Sequence, residues 1–164
     1  MKFAYTLAPG RGETNLVLAA LAERLGALGL RLCGTVQIDT ERETQHRCDM
    51  DLKILPAGRI VRISQDLGPA ATACRLDTDA LECAVAATER ALGAGADLLI
   101  LNKFGKHEAE GRGFRETIAT ALSQDIPVLV GANKLNLAAL QDFAGGEIEA
   151  LPAELPRLVE WVMG

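Results

Sequence analysis

The nine residues LAPGRGETN, Leu7 to Asn15, decide the predicted fold of this 164-residue chain. The apolar run Lys2–Leu7 is typical of a buried β-strand, and Thr14–Leu28 has the apolar spacing of an amphipathic helix that ends at Gly29. A strand, a glycine-rich turn and a helix form the context of a phosphate-binding loop. The segment therefore predicts a βα unit at the start of an α/β sheet.

The turn itself departs from the phosphate-binding pattern GxxxxGK[ST]. Gly12 and Thr14 match it, whereas Leu7 replaces the first glycine and Glu13 replaces the lysine. In that pattern the backbone N–H groups and the lysine bind phosphates, and the hydroxyl binds magnesium. The context favours a degenerate Walker A loop. The alternative is an ordinary βα turn in which Gly10 and Gly12 supply backbone freedom.

Length and composition predict one globular domain over residues 1–164. The chain is 49% hydrophobic and 24% charged, as ordinary globular proteins are. The net charge of −5 and the pI near 5.1 disfavour a nucleic-acid partner. The N-terminal run MKFAYTLAPG is too short and too polar for a signal peptide or a membrane span. We therefore expect a cytoplasmic protein with no membrane insertion, and its oligomeric state is open.

Strands and helices are predicted to alternate along the remaining chain. The predicted strands are Leu30–Ile38, Asp97–Asn102 and "IPVLVGA" (126–132), and the predicted helices are Asp79–Leu92, 111–124 and Leu155–Met163. Alternating segments around Pro56 predict a β-hairpin insertion at about 48–68, and the charged stretch 39–47 predicts an exposed, mobile loop. This order indicates a three-layer, P-loop-like α/β domain with a mainly parallel sheet.

Asn102 and Lys103 follow the apolar run DLLIL, at the place where P-loop proteins carry the acid that holds magnesium. Compared with the P-loop pattern, the loop at residues 7–15 therefore lacks its lysine, and the strand Asp97–Asn102 lacks its terminal acid. If the two strands adjoin, Glu13 and Lys103 can pair, or Lys103 can supply the cation that the loop lacks. Without the acid, we expect magnesium to be held poorly and magnesium-dependent ATP turnover to be disfavoured. Binding of an anion without metal is the simpler expectation.

The segment 103–115 concentrates charge after this strand, at the sheet edge where ligands of open α/β folds gather. Its charged side chains are Lys103, Lys106, His107, Glu108, Glu110, Arg112 and Arg115. His107 and Glu108 can serve as acid and base. A solvated charged face is the alternative.

The four cysteines show neither a CxxC pair nor zinc-like spacing, so disulfides are not expected. Cys33 and Cys83 lie in apolar periodic segments, which predicts small buried side chains. Cys48 and Cys74 lie in polar stretches, each beside an arginine that would lower a thiol pKa. The candidate metal ligands are Cys48, Asp49, Asp51 and Cys74. The two carboxylates alternatively solvate the start of the hairpin.

Several long motifs follow one another in this chain: "VQ", "CDMDL", "RISQDLG", "CRLD", "DLLILNKFGKHEAEGRGFR" and "IPVLVGA". From Lys2 to about Gly146 they resemble an uncharacterised bacterial family, domain of unknown function 2478. The resemblance implies a divergent relative of small P-loop nucleoside-triphosphatases, with members often encoded beside molybdate transport or molybdenum-enzyme genes. The family's signature positions here are Gly12, Thr14, Gln37, Cys48, Asp49, Asp51, Ser64, Gln65, Asp66, Cys74, Arg75, Asp77, Asn102, Lys103, Gly105, Glu108, Gly111 and Arg112.

The leading hypothesis is an accessory protein that binds an oxyanion or a nucleotide phosphate in molybdate or molybdenum-cofactor handling. Its ligand would be molybdate, tungstate or a nucleotide, and its partners molybdate transport or molybdenum-enzyme proteins. The candidate ligand-binding residues are Gly10, Arg11, Gly12, Glu13, Thr14, Asn15, Asn102, Lys103 and Arg112. Cys48 and Cys74 are candidates for soft contacts to molybdenum or tungsten.

Two alternatives stay open. The first is a nucleoside-triphosphatase with a relocated lysine, in which Lys103 and Glu108 are catalytic, Glu108 positions water, and Asp49 and Asp51 hold magnesium. The second is a regulatory or interaction module that keeps the fold without binding a ligand.

Overall fold

The structure is a computed structural model that describes residues 1–10, 12–42, 47–65 and 75–164. For residues 39–42, 47–49, 65 and 75 the description covers the backbone alone. Nine strands and six helices fall within these ranges. In chain order they are β1 (Phe3–Thr6), α1 (Glu13–Ala27), β2 (Leu32–Arg42), β3 (Arg47–Leu55), β4 (Arg59–Arg62), β5 (Ser64–Gln65), β6 (Arg75–Leu76), α2 (Thr78–Gly93), β7 (Leu98–Leu101), α3 (Lys106–Ala109), α4 (Arg115–Ser123), β8 (Val128–Gly131), α5 (Leu137–Phe143), β9 (Glu149–Leu151) and α6 (Leu155–Met163).

Seven strands form one sheet in the order β4-β3-β2-β7-β8-β1-β9. The strands from β2 to β9 in this order pair in parallel, whereas β3 pairs antiparallel with both β2 and β4. Strands β5 and β6 form a separate short antiparallel pair. The predicted α/β class, the mainly parallel sheet and the hairpin are confirmed.

Helices cover both faces of the sheet and produce the three layers. On one face, α1 and α6 bury Leu21, Leu25 and Leu158 against the sheet. On the other face, α2, α4 and α5 bury side chains such as Leu81 and Ile118. Strands β7 and β8 are buried along their whole length because both of their faces are covered, which accounts for their continuous apolar sequence.

The prediction of a mobile loop over residues 39–47 is wrong for most of that stretch. Strand β2 continues to Arg42 and β3 begins at Arg47, and the two pair in antiparallel register. Residues 43–46 lie outside the described residues. Apolar periodicity identifies strands that bury a face. A ribbon that pairs through its backbone groups needs no such pattern.

Candidate functional site

The loop between β1 and α1 keeps features of a phosphate-binding turn. Gly12, directly before α1, has the left-handed φ of 76° that glycine adopts without steric cost. The hydroxyl of Thr14 accepts a hydrogen bond from the backbone N–H of Ala8 at 2.9 Å, which ties the first turn of the helix to the end of β1. Arg11 lies outside the described residues.

Glu13 folds its carboxylate back over this loop. Its Oε2 accepts the backbone N–H of Gly10 at 3.3 Å, and its own N–H donates to the Gly10 carbonyl at 3.3 Å. A Cβ atom on Gly10 would lie 2.2 Å from Oε1 of Glu13, so the carboxylate packs directly against the glycine backbone. A loop whose N–H groups would otherwise face a phosphate thus has an acceptor from its own chain.

Strand β8 lies between β1 and β7, so the condition for pairing of Glu13 with Lys103, that the two strands adjoin, is not met. Two strand spacings of about 4.8 Å each separate them. Among the described residues, neither Glu13 nor Lys103 takes part in an ion pair. Direct pairing of Glu13 with Lys103 therefore does not occur in this arrangement.

A pocket of about 460 Å³ lies at the end of β7, against Gln37 of β2 and beside α2 and α3. Its polar lining residues are Asn15, Gln37, Thr78, Asn102, Lys103, Lys106, His107 and Glu108. Its apolar lining residues are Met50, Ile63, Leu76, Leu81 and Phe114. The structure thus brings Asn102 and Lys103 together with Asn15 at the start of α1.

Asn102 occupies the centre of a hydrogen-bonded chain at the end of β7. The Thr35 hydroxyl donates to Asn102 Oδ1 at 2.9 Å, and Asn102 Nδ2 donates to Gln37 Oε1 at 2.8 Å. Asn102 is 7% exposed, so burial makes these partners necessary. These two hydrogen bonds fix the orientation of the Asn102 amide. A neutral side chain thus occupies the position where the P-loop pattern places an acid.

Glu108 is 4% exposed, and both of its carboxylate oxygens accept backbone hydrogen bonds. Oε1 accepts the N–H of Gly105 at 2.9 Å and Oε2 accepts the N–H of Phe114 at 3.0 Å. The guanidinium of Arg115 donates to the Glu108 carbonyl at 3.2 Å. Glu108 therefore holds the two ends of the segment 105–114 together, and its catalytic role stays a prediction.

The cationic side chains of this segment divide between two places. Lys103 and Lys106 are exposed and His107 is half-buried at the pocket, and Nζ of Lys106 also lies 4.0 Å from Oε1 of Glu110. Arg112 hydrogen-bonds the same carboxylate, and this hydrogen bond holds the pKa of Glu110 below its usual range. Arg112 lines a neighbouring depression rather than the pocket. A role for Arg112 in anion binding stays a prediction.

The candidate metal ligands are only partly described. Asp51 accepts hydrogen bonds from Nε of Arg62 at 2.9 Å and from its Nη2 at 3.3 Å. Cys48 and Asp49 are described by backbone alone, and Cys74 lies outside the described residues. Within the described part of the chain, no three His, Cys, Asp or Glu side chains cluster as a metal site would require. Metal binding by these four residues stays a prediction.

The two remaining cysteines differ from each other. Cys33 is buried in β2, as predicted, and burial raises the pKa of its thiol to about 12. Cys83 is exposed on α2, so the prediction of a buried side chain is wrong for this residue. The helix buries Leu81, Ala84 and Val85, and Cys83 falls on the opposite side of this apolar stripe.

Comparison with known proteins places the chain in a family. It is 34% identical over 149 residues to the molybdenum import ATP-binding protein ModC 2 of Bradyrhizobium diazoefficiens; the alignment covers 91% of this chain but only 17% of that protein. The solution structure of a human cancer-related nucleoside triphosphatase matches with a TM-score of 0.69 at 18% identity, over 99% of this chain and 97% of that one, which shows a shared fold. None of the described helices has the length and hydropathy to cross a membrane. The family described as "Protein of unknown function (DUF2478)" matches residues 3–161, and the chain belongs to it.

Proposed function

We propose that this protein binds a phosphate-bearing or oxyanion ligand at the carboxyl-terminal edge of its sheet without hydrolysing it, as an accessory domain in molybdate handling. The observation that carries the proposal is the buried Asn102 amide with Lys103 beside it at the end of β7. An amide and an ammonium group at this position favour an anion, whereas an acid would favour a metal ion.

The charge of the pocket supports anion binding. Lys103, Lys106 and His107 line it, and the nearest acidic lining residue, Glu108, has both oxygens engaged by backbone N–H groups. The chain as a whole carries a net charge of −5. The lysines at the pocket give it a positive local potential, which the negative overall charge would not supply.

Three residues, Glu13, Asn102 and Glu108, argue against hydrolysis. Phosphoryl transfer needs cations on the phosphates and a group that orients the attacking water. Glu13 replaces the loop lysine, Asn102 replaces the acid that would hold magnesium, and the Glu108 oxygens are engaged in the fold. A binding role fits these three residues better than turnover does.

The link to molybdate rests on the relative from Bradyrhizobium diazoefficiens. The 149 aligned residues are 17% of that molybdenum import protein, so most of it lies outside the alignment. A domain joined covalently to other domains acts on them at a high effective concentration. A region similar to this chain within an import protein therefore supports a role for this chain beside the same transport system.

Lys103→Ala is expected to weaken binding of the anion about tenfold or more, since a charge-assisted contact contributes about 1.5–3 kcal/mol. Calorimetric titration with molybdate, tungstate, sulfate and ATP, each with magnesium and with EDTA, measures this. Lys53→Ala is the matched control because Lys53 is an exposed lysine of β3 that does not line this pocket. Nucleotide binding that needs magnesium, together with phosphate release, would instead support a nucleoside-triphosphatase with a relocated lysine.

Glu13→Lys is expected to raise the affinity for ATP about tenfold, or about 1.4 kcal/mol, because it removes the internal anion and restores the lysine of the loop pattern. Titration in EDTA compares this variant with the wild type. Glu13→Gln removes the charge without adding a cation, and we expect an intermediate affinity. Equal affinities in all three proteins would show that the carboxylate does not compete with phosphate.

A further inference from the structure

The two faces of the sheet are covered unequally at its β3–β4 end. On one face, α2 packs against β2, β3 and β4. On the other face, α1 packs against β2 and β8. Cross-strand partners share a face of a sheet, so Lys53 and Ile60 lie on the same face as Val36, which is buried with α1. Both Lys53 and Ile60 are exposed, so this part of the α1 face is open to solvent in the described structure.

A groove of about 450 Å³ runs between α1 and this open part of the sheet. Ala20 and Glu23 line it from α1, and Val36, Ile38 and Lys53 line it from the strands. Glu23 and Lys53 are the two charged side chains of its described lining, and the other lining residues are apolar. The groove is therefore an apolar surface with one charge of each sign.

Large apolar side chains are exposed in this groove and at its borders. Ile38 in the groove is 38% exposed, and Ile60, which pairs with Lys53, is 58% exposed. Leu16 is 72% exposed and lies one helical turn before Ala20, on the same side of α1. An apolar groove bordered by exposed apolar side chains is typical of a protein–protein contact rather than of a solvated face.

The charges of the groove indicate which partner fits it. Glu23 and Lys53 are exposed, and among the described residues neither takes part in an ion pair. In a two-fold dimer both copies present the same surface, so Glu23 of each copy can face Lys53 of the other. The net charge of −5 makes most contacts between two copies repulsive, whereas the two charges of the groove cancel. A second copy of this chain therefore supplies the complementary charges by symmetry.

We propose that this protein forms a two-fold homodimer through the groove between α1 and strands β2 to β4. Leu16, Ile38 and Ile60 are covered in the dimer, and Glu23 of each copy pairs with Lys53 of the other. The pocket at the end of β7 lies on the α2 side of the sheet, against Met50 and Leu81, and stays accessible. The dimer is thus independent of the proposed ligand.

Sedimentation of the full chain from micromolar to millimolar concentration tests the proposal, and we expect a mass that approaches twice 17.4 kDa. Leu16→Arg should raise the dissociation constant of the dimer about tenfold or more, because it places a charge in an apolar contact. Leu135→Arg is the matched control. Leu135 is 93% exposed in the loop after β8 and does not line the groove, so this variant should associate as the wild type does.

Charge reversal tests the pairing of Glu23 with Lys53. Glu23→Lys and Lys53→Glu each place like charges opposite one another at both contacts, so each variant alone should dissociate about tenfold more readily or worse. An equimolar mixture of the two variants has opposite charges at both contacts. We expect the mixture to form a heterodimer with an affinity close to that of the wild type.

Three results would each overturn the proposal. The first is a monomer at every concentration, which would leave the groove to a partner of another kind. The second is a dimer that neither Leu16→Arg nor the charge reversals weaken, which would place the contact elsewhere. The third is a mixture of Glu23→Lys and Lys53→Glu that associates no better than the separate variants.

Discussion

Gly34→Ala is expected to lower the free energy of unfolding by about 3 kcal/mol or more, a large share of the roughly 5–15 kcal/mol that stabilises an ordinary domain. Gly34 has a φ of 112°, a conformation that L side chains rarely adopt. A Cβ atom there would lie 1.8 Å from the carbonyl oxygen of Ile100 in β7. The clash is with backbone, so no rotamer change relieves it.

The register at Gly34 also positions the site. Gly34 pairs with Ile100, which brings Thr35 beside Leu101 and leaves Thr35 within hydrogen-bonding distance of Asn102. A displaced β2 would therefore disturb the hydrogen bonds that join Asn102 to Thr35 and Gln37. We expect the folded variant to lose anion affinity as well.

Urea unfolding followed by circular dichroism measures the effect. Gly26→Ala is the matched control, since Gly26 lies inside α1 with no heavy atom within 4 Å of a built Cβ. We expect it to be neutral or to raise stability by about 0.5–1 kcal/mol. Equal stability of the two variants would contradict the close approach of β2 and β7.

Glu108→Gln is the second substitution with a large expected effect, a loss of about 2–3 kcal/mol. The side chain is buried, and its two oxygens accept the N–H groups of Gly105 and Phe114. A glutamine has one oxygen and one NH₂ group, so one backbone donor faces another donor. The segment 105–114 loosens, and the pocket that it borders loses affinity.

Thermal unfolding compares this variant with Glu110→Gln. Glu110 is exposed, and its loss should change stability by less than about 0.5 kcal/mol. If Glu108→Gln keeps the stability of the wild type and instead abolishes a measurable phosphate release, then Glu108 acts on water and the nucleoside-triphosphatase alternative gains support.

The sequence predicted the central elements well because their environment leaves a clear pattern. Strands β7 and β8 are covered on both faces, so they read as continuous apolar runs and were placed within about two residues of their observed ends. Helix α6 was predicted with the same bounds that the structure has, from Leu155 to Met163. The bounds of such elements can be predicted from the pattern of apolar residues in their own sequence.

Strand order is a different kind of information. The position of β8 between β1 and β7 depends on how distant segments pair, and no local pattern in Glu13 or Lys103 encodes it. The short elements α3, α5 and β9 are also absent from the predictions, because four, seven and three residues are too few for a periodic signal.

The candidate site was predicted as a set of positions rather than as an arrangement. Asn102 and Lys103 were found, whereas Thr35, which orients the Asn102 amide, was missed because a buried threonine in an apolar strand resembles core. Glu108 was assigned to chemistry because it lies in a charged segment at the sheet edge where ligands of open α/β folds gather. Glu108 lies three residues after Gly105, which is the spacing of a glutamate that caps a helix N-terminus. This spacing could have predicted its hydrogen bond with the N–H of Gly105.

Backbone amide shifts in a ¹⁵N NMR titration test the central claim most directly, because they report where the anion binds. The ligand is whichever of molybdate, tungstate, sulfate and ATP binds most tightly, added in EDTA. The account predicts the largest shifts at Gln37, Asn102, Lys103 and Lys106, with Gly10 and Gly12 little changed. Largest shifts at Gly10, Gly12 and Glu13, with Asn102 unmoved, would contradict it and return the ligand to the loop between β1 and α1.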